Sequence, residues 1–196
     1  SDPGFHDGAG ERTFINGIRA AWRMIPEALD EEFFDADIVL FGGTALIPRV
    51  HEALTSLTYR AREKGCITIV TTVYDFINEK RNPDSAWPLG ETDETYENID
   101  LLITDYEEAL RLSGCDSLDA AAKSLIEKGT SALVVTNGAK EVFAYSNGEF
   151  FSPIKAVLPL SHAVEDARVE GPVHGDTTGA GDNFAGGVIA SLITQM

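Results

Sequence analysis

The sequence predicts an α/β protein in which a mostly parallel β-sheet carries helices on both faces, giving three layers. Two observations lead to this prediction. Short, nearly continuous apolar runs alternate with segments of helical periodicity, which is typical of buried parallel strands joined by helices. A glycine-rich turn near the C-terminus then opens an apolar helical pattern, and ligands of such folds bind beyond the carboxyl ends of the strands.

The predicted strands are short apolar runs that lie between turn residues. A short strand is predicted at residues 13–15, and the longer runs are 36–41, 67–73, 99–103 and 132–136. Gly42-Gly43 ends the first of the longer runs, which we expect to be buried on both faces. Residues 141–145 and 149–151 flank Asn147-Gly148, a dipeptide that strongly favours a β-hairpin.

Three longer helices are predicted between these strands. They cover residues 48–65, 104–114 and 116–129, and a short helical segment starts at Pro26. Glycine ends each of the three because it tolerates the left-handed conformation of a helix C-terminus, and Pro48 suits a first helical turn. Asp116 and Asp119 are the predicted caps of the third helix. Residues 78–98 are polar and rich in acids, which favours a solvated surface loop or helix.

The bulk composition excludes several classes of function. A net charge of -17 is unfavourable for binding nucleic acid or an anionic membrane, and no stretch is long and apolar enough for a membrane helix. Cys66 and Cys115 form no CxxC pair, which favours a reducing cytoplasm. The chain begins without Met and stops within an apolar helical pattern, so we expect residues 1–196 to be a single domain that is incomplete at both ends.

The strongest chemical signal lies at residues 175–184, GDTTGAGDNF. A glycine-rich turn that opens a helix aims unpaired backbone N–H groups and the positive end of the helix dipole at one point, which makes an anion site. Asp182 would repel an anion there unless it has a task, such as accepting a proton from an attacking hydroxyl; the alternative is that it only caps the helix. Asp75, Asp105 and Asn137 also follow predicted strands and are expected at the same crevice.

Two common phosphate-binding patterns are absent from the sequence. No G-x-x-x-x-G-K-[ST] motif occurs, which excludes a P-loop nucleoside triphosphatase on pattern. Gly179 and Gly181 are followed by Gly186 rather than by a glycine at the spacing of G-x-G-x-x-G, and no acidic residue closes a following βαβ unit. A nicotinamide-dependent dehydrogenase is therefore a weak competitor.

Residues 175–184 resemble the C-terminal signature of the ribokinase-like (PfkB) carbohydrate kinases. Other segments agree in order: residues 105–108 (DYEE) resemble the family's Asn-x-x-Glu element, and residues 136–138 (TNG) resemble its nucleotide-contacting strand end. The resemblance covers the C-terminal two-thirds of the chain, with agreement from about Ile38 on, and leaves 78–98 unassigned. It implies a ribokinase-like fold whose N-terminal part, lid and last nucleotide-pocket helices lie outside this sequence.

The resemblance implies catalytic or metal-binding roles for five residues. Asp182 is the implied catalytic base, which deprotonates the attacking hydroxyl. The backbone N–H groups of Gly179, Ala180 and Gly181 are the implied anion hole for the transferring phosphoryl group. Glu108 is implied to hold Mg²⁺, through water, because hard cations prefer oxygen ligands.

Nucleotide and cation contacts are implied at further positions. Asp105 stands where the family has Asn, beside the metal and the nucleotide, and its added negative charge either tightens metal binding or weakens nucleotide binding. Thr136 and Gly138 resemble ribose or phosphate contacts. Asp176 and Thr178 match positions that supply oxygens to a monovalent cation such as K⁺ in some members; the alternative for both is a structural turn.

Together these implied roles predict an ATP-dependent sugar kinase that transfers the γ-phosphoryl group of ATP to a monosaccharide hydroxyl, with Mg²⁺ as cofactor. A nucleoside or vitamin-precursor kinase of the same superfamily is one alternative. A non-catalytic nucleotide- or sugar-binding protein is another, favoured by the departures at Asp105 and Glu141. We expect ATP and a small-molecule sugar as partners, no nucleic acid and no membrane; the resemblance leaves a homodimer open for the full-length protein.

Overall fold

Six strands form one sheet in the computed structural model, which describes residues 20–138, 140–159, 162, 165 and 178–194. They are β1 (Ile38–Gly42), β2 (Ile67–Thr71), β3 (Leu101–Asp105), β4 (Ala132–Thr136), β5 (Val142–Ser146) and β6 (Ile154–Leu158). The first four are parallel, and the last two add as antiparallel strands. The predicted mostly parallel sheet is thereby confirmed; the strand predicted at 13–15 lies outside the described residues.

Helices connect the parallel strands, and a last helix follows the sheet. They are α1 (Pro48–Glu52), α2 (Leu54–Glu63), α3 (Phe76–Arg81), α4 (Glu94–Glu97), α5 (Tyr106–Ser113), α6 (Leu118–Glu127) and α7 (Ala180–Ile193). Short 3₁₀ turns lie at Ala21–Arg23, Pro26–Ala28, Glu32–Phe34 and Thr44–Leu46. In the part of the chain that the structure describes, none of these helices is long and apolar enough to cross a bilayer.

The larger core lies on the face of the sheet that α1, α2, α4, α5 and α6 cover. Strands β1 to β4 follow one another across the sheet in chain order. Because parallel crossovers are almost always right-handed, the connecting helices come to the same side. The core side chains of this face are buried and apolar; they include Phe41, Val70, Leu102 and Leu133 from the strands and Leu54, Leu57, Tyr96, Leu112 and Leu125 from the helices.

Helix α7 packs on the opposite face, which gives the predicted three layers. Its side chains meet the strand residues that alternate with those of the larger core: Ile69, Leu101, Ile103 and Ala132 pack with Phe184, Ala185, Val188, Ile189 and Leu192. The turn that precedes α7 therefore meets the edge of the sheet at the ends of these strands.

Strand β1 corrects the expectation of burial on both faces. Its exposure alternates, with Val39 and Phe41 buried in the larger core while Leu40 is 42% exposed. Among the described residues β1 is an edge strand, and α7 packs over β2 to β4 instead. An apolar run alone could not distinguish a strand covered on one face from one covered on both.

Residues 78–98 also differ from the predicted solvated surface. Trp87, Leu89 and Tyr96 within this segment are buried in the larger core. Trp87 donates its indole N–H to Glu79 Oε2 at 3.1 Å, and Glu79 forms an ion pair with Arg111 of α5. The acids therefore lie on the outer side of a segment that is anchored through its apolar side chains.

Local details of three other elements differ from the predictions. The helix predicted at 48–65 is divided at Ala53 into α1 and α2. Ser117, rather than Asp116 or Asp119, caps α6, because its hydroxyl accepts the N–H of Ala120. The hairpin forms around residues 147–153, but its second strand begins at Ile154 instead of 149, since Ser146 pairs with Ile154.

Candidate functional site

A cavity of about 200 Å³ lies at the carboxyl ends of β2, β3 and β4, where the first turn of α7 meets the sheet. Its lining brings together six of the predicted site residues with neighbouring strand ends: Thr71, Thr72, Val73, Ile103, Thr104, Asp105, Glu108, Thr136, Gly179, Gly181, Asp182 and Phe184. Parallel strands end at the same edge, which explains why residues so far apart in sequence converge. This cavity is the candidate active site.

Gly179 begins α7 with a left-handed backbone, φ +79°. This conformation reverses the chain at the cavity and is open to glycine at little cost. The first four N–H groups of a helix have no partner within the helix, so the amides of Gly179, Ala180, Gly181 and Asp182 are available to an anion. Asn183 fixes the turn, since its side-chain amide donates to Gly179 O at 2.9 Å.

Asp182 lies in the first turn of α7 and is exposed. Gly179, not Asp182, is the N-cap residue of this helix. Within the described part of the chain the Asp182 carboxylate makes no hydrogen bond or ion pair, and the interpretation of Asp182 as a helix cap therefore loses its support. Its oxygens are free to meet a ligand in the cavity.

Asp105 and Glu108 are joined at the start of α5. Asp105 ends β3 and caps α5, because its Oδ1 accepts the N–H of Glu108 at 2.8 Å. This contact turns the chain directly from strand into helix. It also places the Glu108 side chain in the first helical turn, beside the end of β2.

Glu108 is buried, with 8% of its surface exposed, rather than facing solvent as a surface glutamate would. Burial, and then the negative charge of Asp105, raise the pKa of Glu108 to about 7. The hydroxyl of Thr72 opposes this shift by donating a hydrogen bond to Glu108 Oε2. A buried carboxylate with a raised pKa in a cavity is typical of functional sites.

The acidic lining decides what the cavity can bind. Asp105, Glu108 and Asp182 line it, and no lysine or arginine is among its lining residues. Three carboxylates would repel a polyphosphate, so an anionic ligand needs the α7 amides and a cation. Oxygen donors of this kind suit Mg²⁺, which keeps several of its waters. The described residues contain no group of three or more side chains placed to hold a metal alone, so ligand oxygens would complete the coordination.

The other predicted residues are less closely gathered. Thr136 lines the cavity at the end of β4, whereas Gly138, in a left-handed turn with φ +55°, does not. Thr178 is exposed just before the turn. Asp176, its predicted partner for a monovalent cation, lies outside the described residues, as do Gly175 and Thr177 of the signature.

Two of the residues expected at this crevice do not reach it. Asp75 is 3% exposed and caps α3, accepting the N–H groups of Ile77 and Asn78 at 3.1 and 2.9 Å. Asn137 follows β4 but is not in the lining. Thr72, whose hydroxyl donates to Glu108, was not predicted as a site residue. Its only signal in the sequence is that of a polar residue at the end of an apolar strand.

Comparison with known proteins gives one family and one fold. A family model described as pfkB family carbohydrate kinase matches residues 5–196. A PfkB protein from Polaromonas sp. JS666 superposes with a TM-score of 0.61 at 19% identity, over 90% of this chain and 53% of that one. A fructokinase with bound ATP from Xylella fastidiosa gives 0.59 at 21%, over 84% and 47%.

A candidate ribokinase II from Escherichia coli, in complex with ATP and Mg²⁺, gives a TM-score of 0.60 at 19% identity, over 85% of this chain and 49% of that one. At these identities the likeness shows the fold, which is ribokinase-like. The chain spans about half the length of the solved structures that it matches.

Proposed function

Because the chain belongs to the pfkB family of carbohydrate kinases, we propose that the full-length protein is an ATP-dependent sugar kinase that transfers the γ-phosphoryl group of ATP to a hydroxyl of a monosaccharide. The observation that carries this proposal is the shared cavity of Glu108, Asp182 and the first turn of α7. Phosphoryl transfer requires no covalent enzyme intermediate, so positioning and charge stabilisation at such a site are sufficient.

Asp182 is the proposed general base. Its carboxylate has no partner among the described residues, so it can accept the proton of the sugar hydroxyl as the oxygen of that hydroxyl bonds to the γ-phosphorus. The bond between the γ-phosphorus and the bridging oxygen breaks, and ADP leaves with the bonding electrons. The proton stays on Asp182 until the sugar phosphate departs.

The first turn of α7 is the proposed anion site for the transferring phosphoryl group. The amides of Gly179, Ala180 and Gly181 are fixed by the helix and cost no reorganisation during the reaction. Glu108 and Asp105 are the proposed holders of Mg²⁺, directly or through water. When bound, Mg²⁺ would neutralise phosphate charge that the acidic lining otherwise repels.

Replacing Asp182 tests the proposal. The full-length protein is incubated with ATP, Mg²⁺ and a panel of monosaccharides, nucleosides and vitamin precursors, and ADP formation is measured. We expect Asp182→Asn to lower kcat by about 10²–10⁴-fold and to leave nucleotide binding in place. Asp119→Asn is the matched control, because Asp119 is an exposed acid in the first turn of α6 and does not line the cavity.

The acceptor panel also separates the alternatives. Turnover with a nucleoside or a vitamin precursor but no sugar would assign the other branch of the superfamily. Calorimetry that shows nucleotide binding without turnover on any acceptor would indicate a non-catalytic protein. Equal activity of the wild type and Asp182→Asn would refute the proposed base.

A further inference from the structure

We propose that Thr72 is a positioning residue for Glu108, holding its carboxylate in the orientation that binds the metal–nucleotide complex. The inference deepens the proposed function and rests on it. No sequence motif marks Thr72, which follows the last residue of β2 and reaches α5 across the end of β3.

The contact is built from two rigid backbones. Thr72 continues the sheet beyond β2, since its N–H donates to Ile103 O of β3 at 3.1 Å. Glu108 is fixed in turn by the cap from Asp105. The Thr72 hydroxyl donates to Glu108 Oε2, and its oxygen lies 2.8 Å from the hydroxyl oxygen of Thr104. Each end of the contact is therefore held by a backbone hydrogen bond of its own.

The hydrogen bond decides how the Glu108 carboxylate is presented. Within the described residues it is the only side-chain hydrogen bond that this carboxylate makes, and Oε1 accepts none. With Oε2 held by Thr72, Oε1 is left for a ligand of the cavity that both residues line. A glutamate has three rotatable side-chain bonds, and fixing one oxygen removes most of that freedom before a ligand arrives.

Helix stability does not account for the contact. Asp105 already caps α5 with its own carboxylate, so α5 does not need the Glu108 side chain in order to start. Burial of the Glu108 carboxylate costs free energy, and the side chain does not offset that cost by capping α5. The Thr72 hydroxyl donates to the charged form of Glu108, which is the form that binds a metal. In other proteins, hydrogen bonds from neighbouring residues orient metal ligands in the same way.

The test compares Thr72→Val, which keeps the shape and removes the hydroxyl, with Thr72→Ser, which keeps the hydroxyl. Thr68→Val is the matched control: Thr68 is a fully buried threonine of β2 whose hydroxyl has no partner among the described residues. Binding of Mn²⁺ in the presence of a non-hydrolysable ATP analogue is measured by electron paramagnetic resonance, and thermal unfolding checks that each variant is folded.

We expect Thr72→Val to weaken Mn²⁺ binding and to raise the Mg²⁺ concentration for half-maximal turnover, each by about tenfold, with the sugar KM unchanged. Thr72→Ser and Thr68→Val should bind Mn²⁺ as the wild type does. Wild-type Mn²⁺ affinity in Thr72→Val, or an equal loss in Thr72→Ser, would overturn the inference. Absence of wild-type turnover on every acceptor would refute the proposed function instead, while the Mn²⁺ measurement still decides the role of Thr72.

Discussion

Glu108 and Asp182 line the same cavity although their helices lie on opposite faces of the sheet. Helix α5 belongs to the larger core, whereas α7 packs on the other face. The two carboxylates therefore meet only at the carboxyl edge, where neither layer covers the strand ends. The position of each is fixed by a different device: an aspartate cap for α5 and a left-handed glycine for α7.

The charge of Glu108 should cost stability that Glu108→Gln restores. Its folded-state pKa of about 7 is raised above the ordinary value of 4.5. The contribution of Glu108 to the free energy of unfolding is therefore fully present below pH 4.5 and is lost as the pH rises through 7. We expect metal-free Glu108→Gln to be more stable than the wild type by up to about 3 kcal/mol at pH 8.5, and to lose that advantage at pH 4.5.

Urea unfolding in EDTA at the two pH values measures this difference, and turnover of Glu108→Gln should fall at the same time. A stability gain that is the same at both pH values would contradict the prediction, because only ionisation of Glu108 makes the gain depend on pH.

Gly179 should not tolerate a side chain. An alanine Cβ there would meet only ordinary contacts, 3.8 Å from Asn183 Nδ2 and 4.0 Å from Asp182 Oδ2, so the cost comes from the backbone at φ +79°. We expect Gly179→Ala to lower the free energy of unfolding by about 1–2 kcal/mol and to reduce turnover, because relaxing the turn re-aims the α7 amides.

Gly186, inside α7, is the control for that change. An added Cβ meets nothing within 4 Å among the described residues, and alanine is the better helix former. Gly186→Ala should raise the free energy of unfolding by about 0.5–1 kcal/mol. Chemical denaturation of both variants measures the contrast; equal effects would show that the left-handed turn is not required.

His51 should make stability fall at mildly acidic pH. Burial lowers the pKa of His51 below its ordinary value of 6.5, outweighing the opposing effect of Asp75. The ring lies between the Thr44 hydroxyl at Nδ1 and Pro88 O at Nε2, 2.9 and 3.1 Å away. The neutral ring fits this arrangement with Nε2 as donor and Nδ1 as acceptor.

The lowered pKa of His51 makes the folded protein less stable at acidic pH. The unfolded chain takes up the proton first, so the contribution of His51 is complete above pH 6.5 and is lost as the pH falls toward the folded-state value. We expect His51→Asn to be less stable than the wild type at pH 7.5 but to lose less on going to pH 5.5. The control is His162→Asn, which removes an exposed histidine instead of a buried one.

The features that were predicted correctly depend on residues that are close together in the sequence. Strand β4 begins and ends where its apolar run does, and Gly114 and Gly129 end their helices as expected. The contact between Thr72 and Glu108 was not predictable, because it depends on the register between β2 and β3. The anchoring of residues 78–98 to the core was missed for a related reason: the segment is mostly polar, and Trp87, which anchors it, lies against Arg111 of another helix.

We expect loss of the Arg111 guanidinium to weaken that anchor. Arg111 pairs with Glu79, donates to Pro83 O at 3.0 Å and lies 5.6 Å from the Trp87 ring centroid, with side chains of Arg111 and Glu79 each 28% exposed. Arg111→Met keeps the length of the side chain but leaves Glu79 without its cation. We expect it to lower the free energy of unfolding by about 1–3 kcal/mol and to loosen the segment that carries Trp87.

Lys123→Met is the comparison for that variant, because Lys123 and Glu127 form an exposed pair on one helix, 3.7 Å apart, and such pairs contribute less than about 0.5 kcal/mol. Urea denaturation followed by tryptophan fluorescence, with Trp22→Phe in each protein so that Trp87 is the remaining tryptophan, reports both stability and the environment of Trp87. If Arg111→Met is as mild as Lys123→Met, the segment is held without the guanidinium, by the packing of Trp87 and by its backbone N–H, which donates to Arg111 O at 2.8 Å. If it is more severe, the contacts of the Arg111 guanidinium with Glu79, Pro83 O and the Trp87 ring help to fix residues 76–98 against α5.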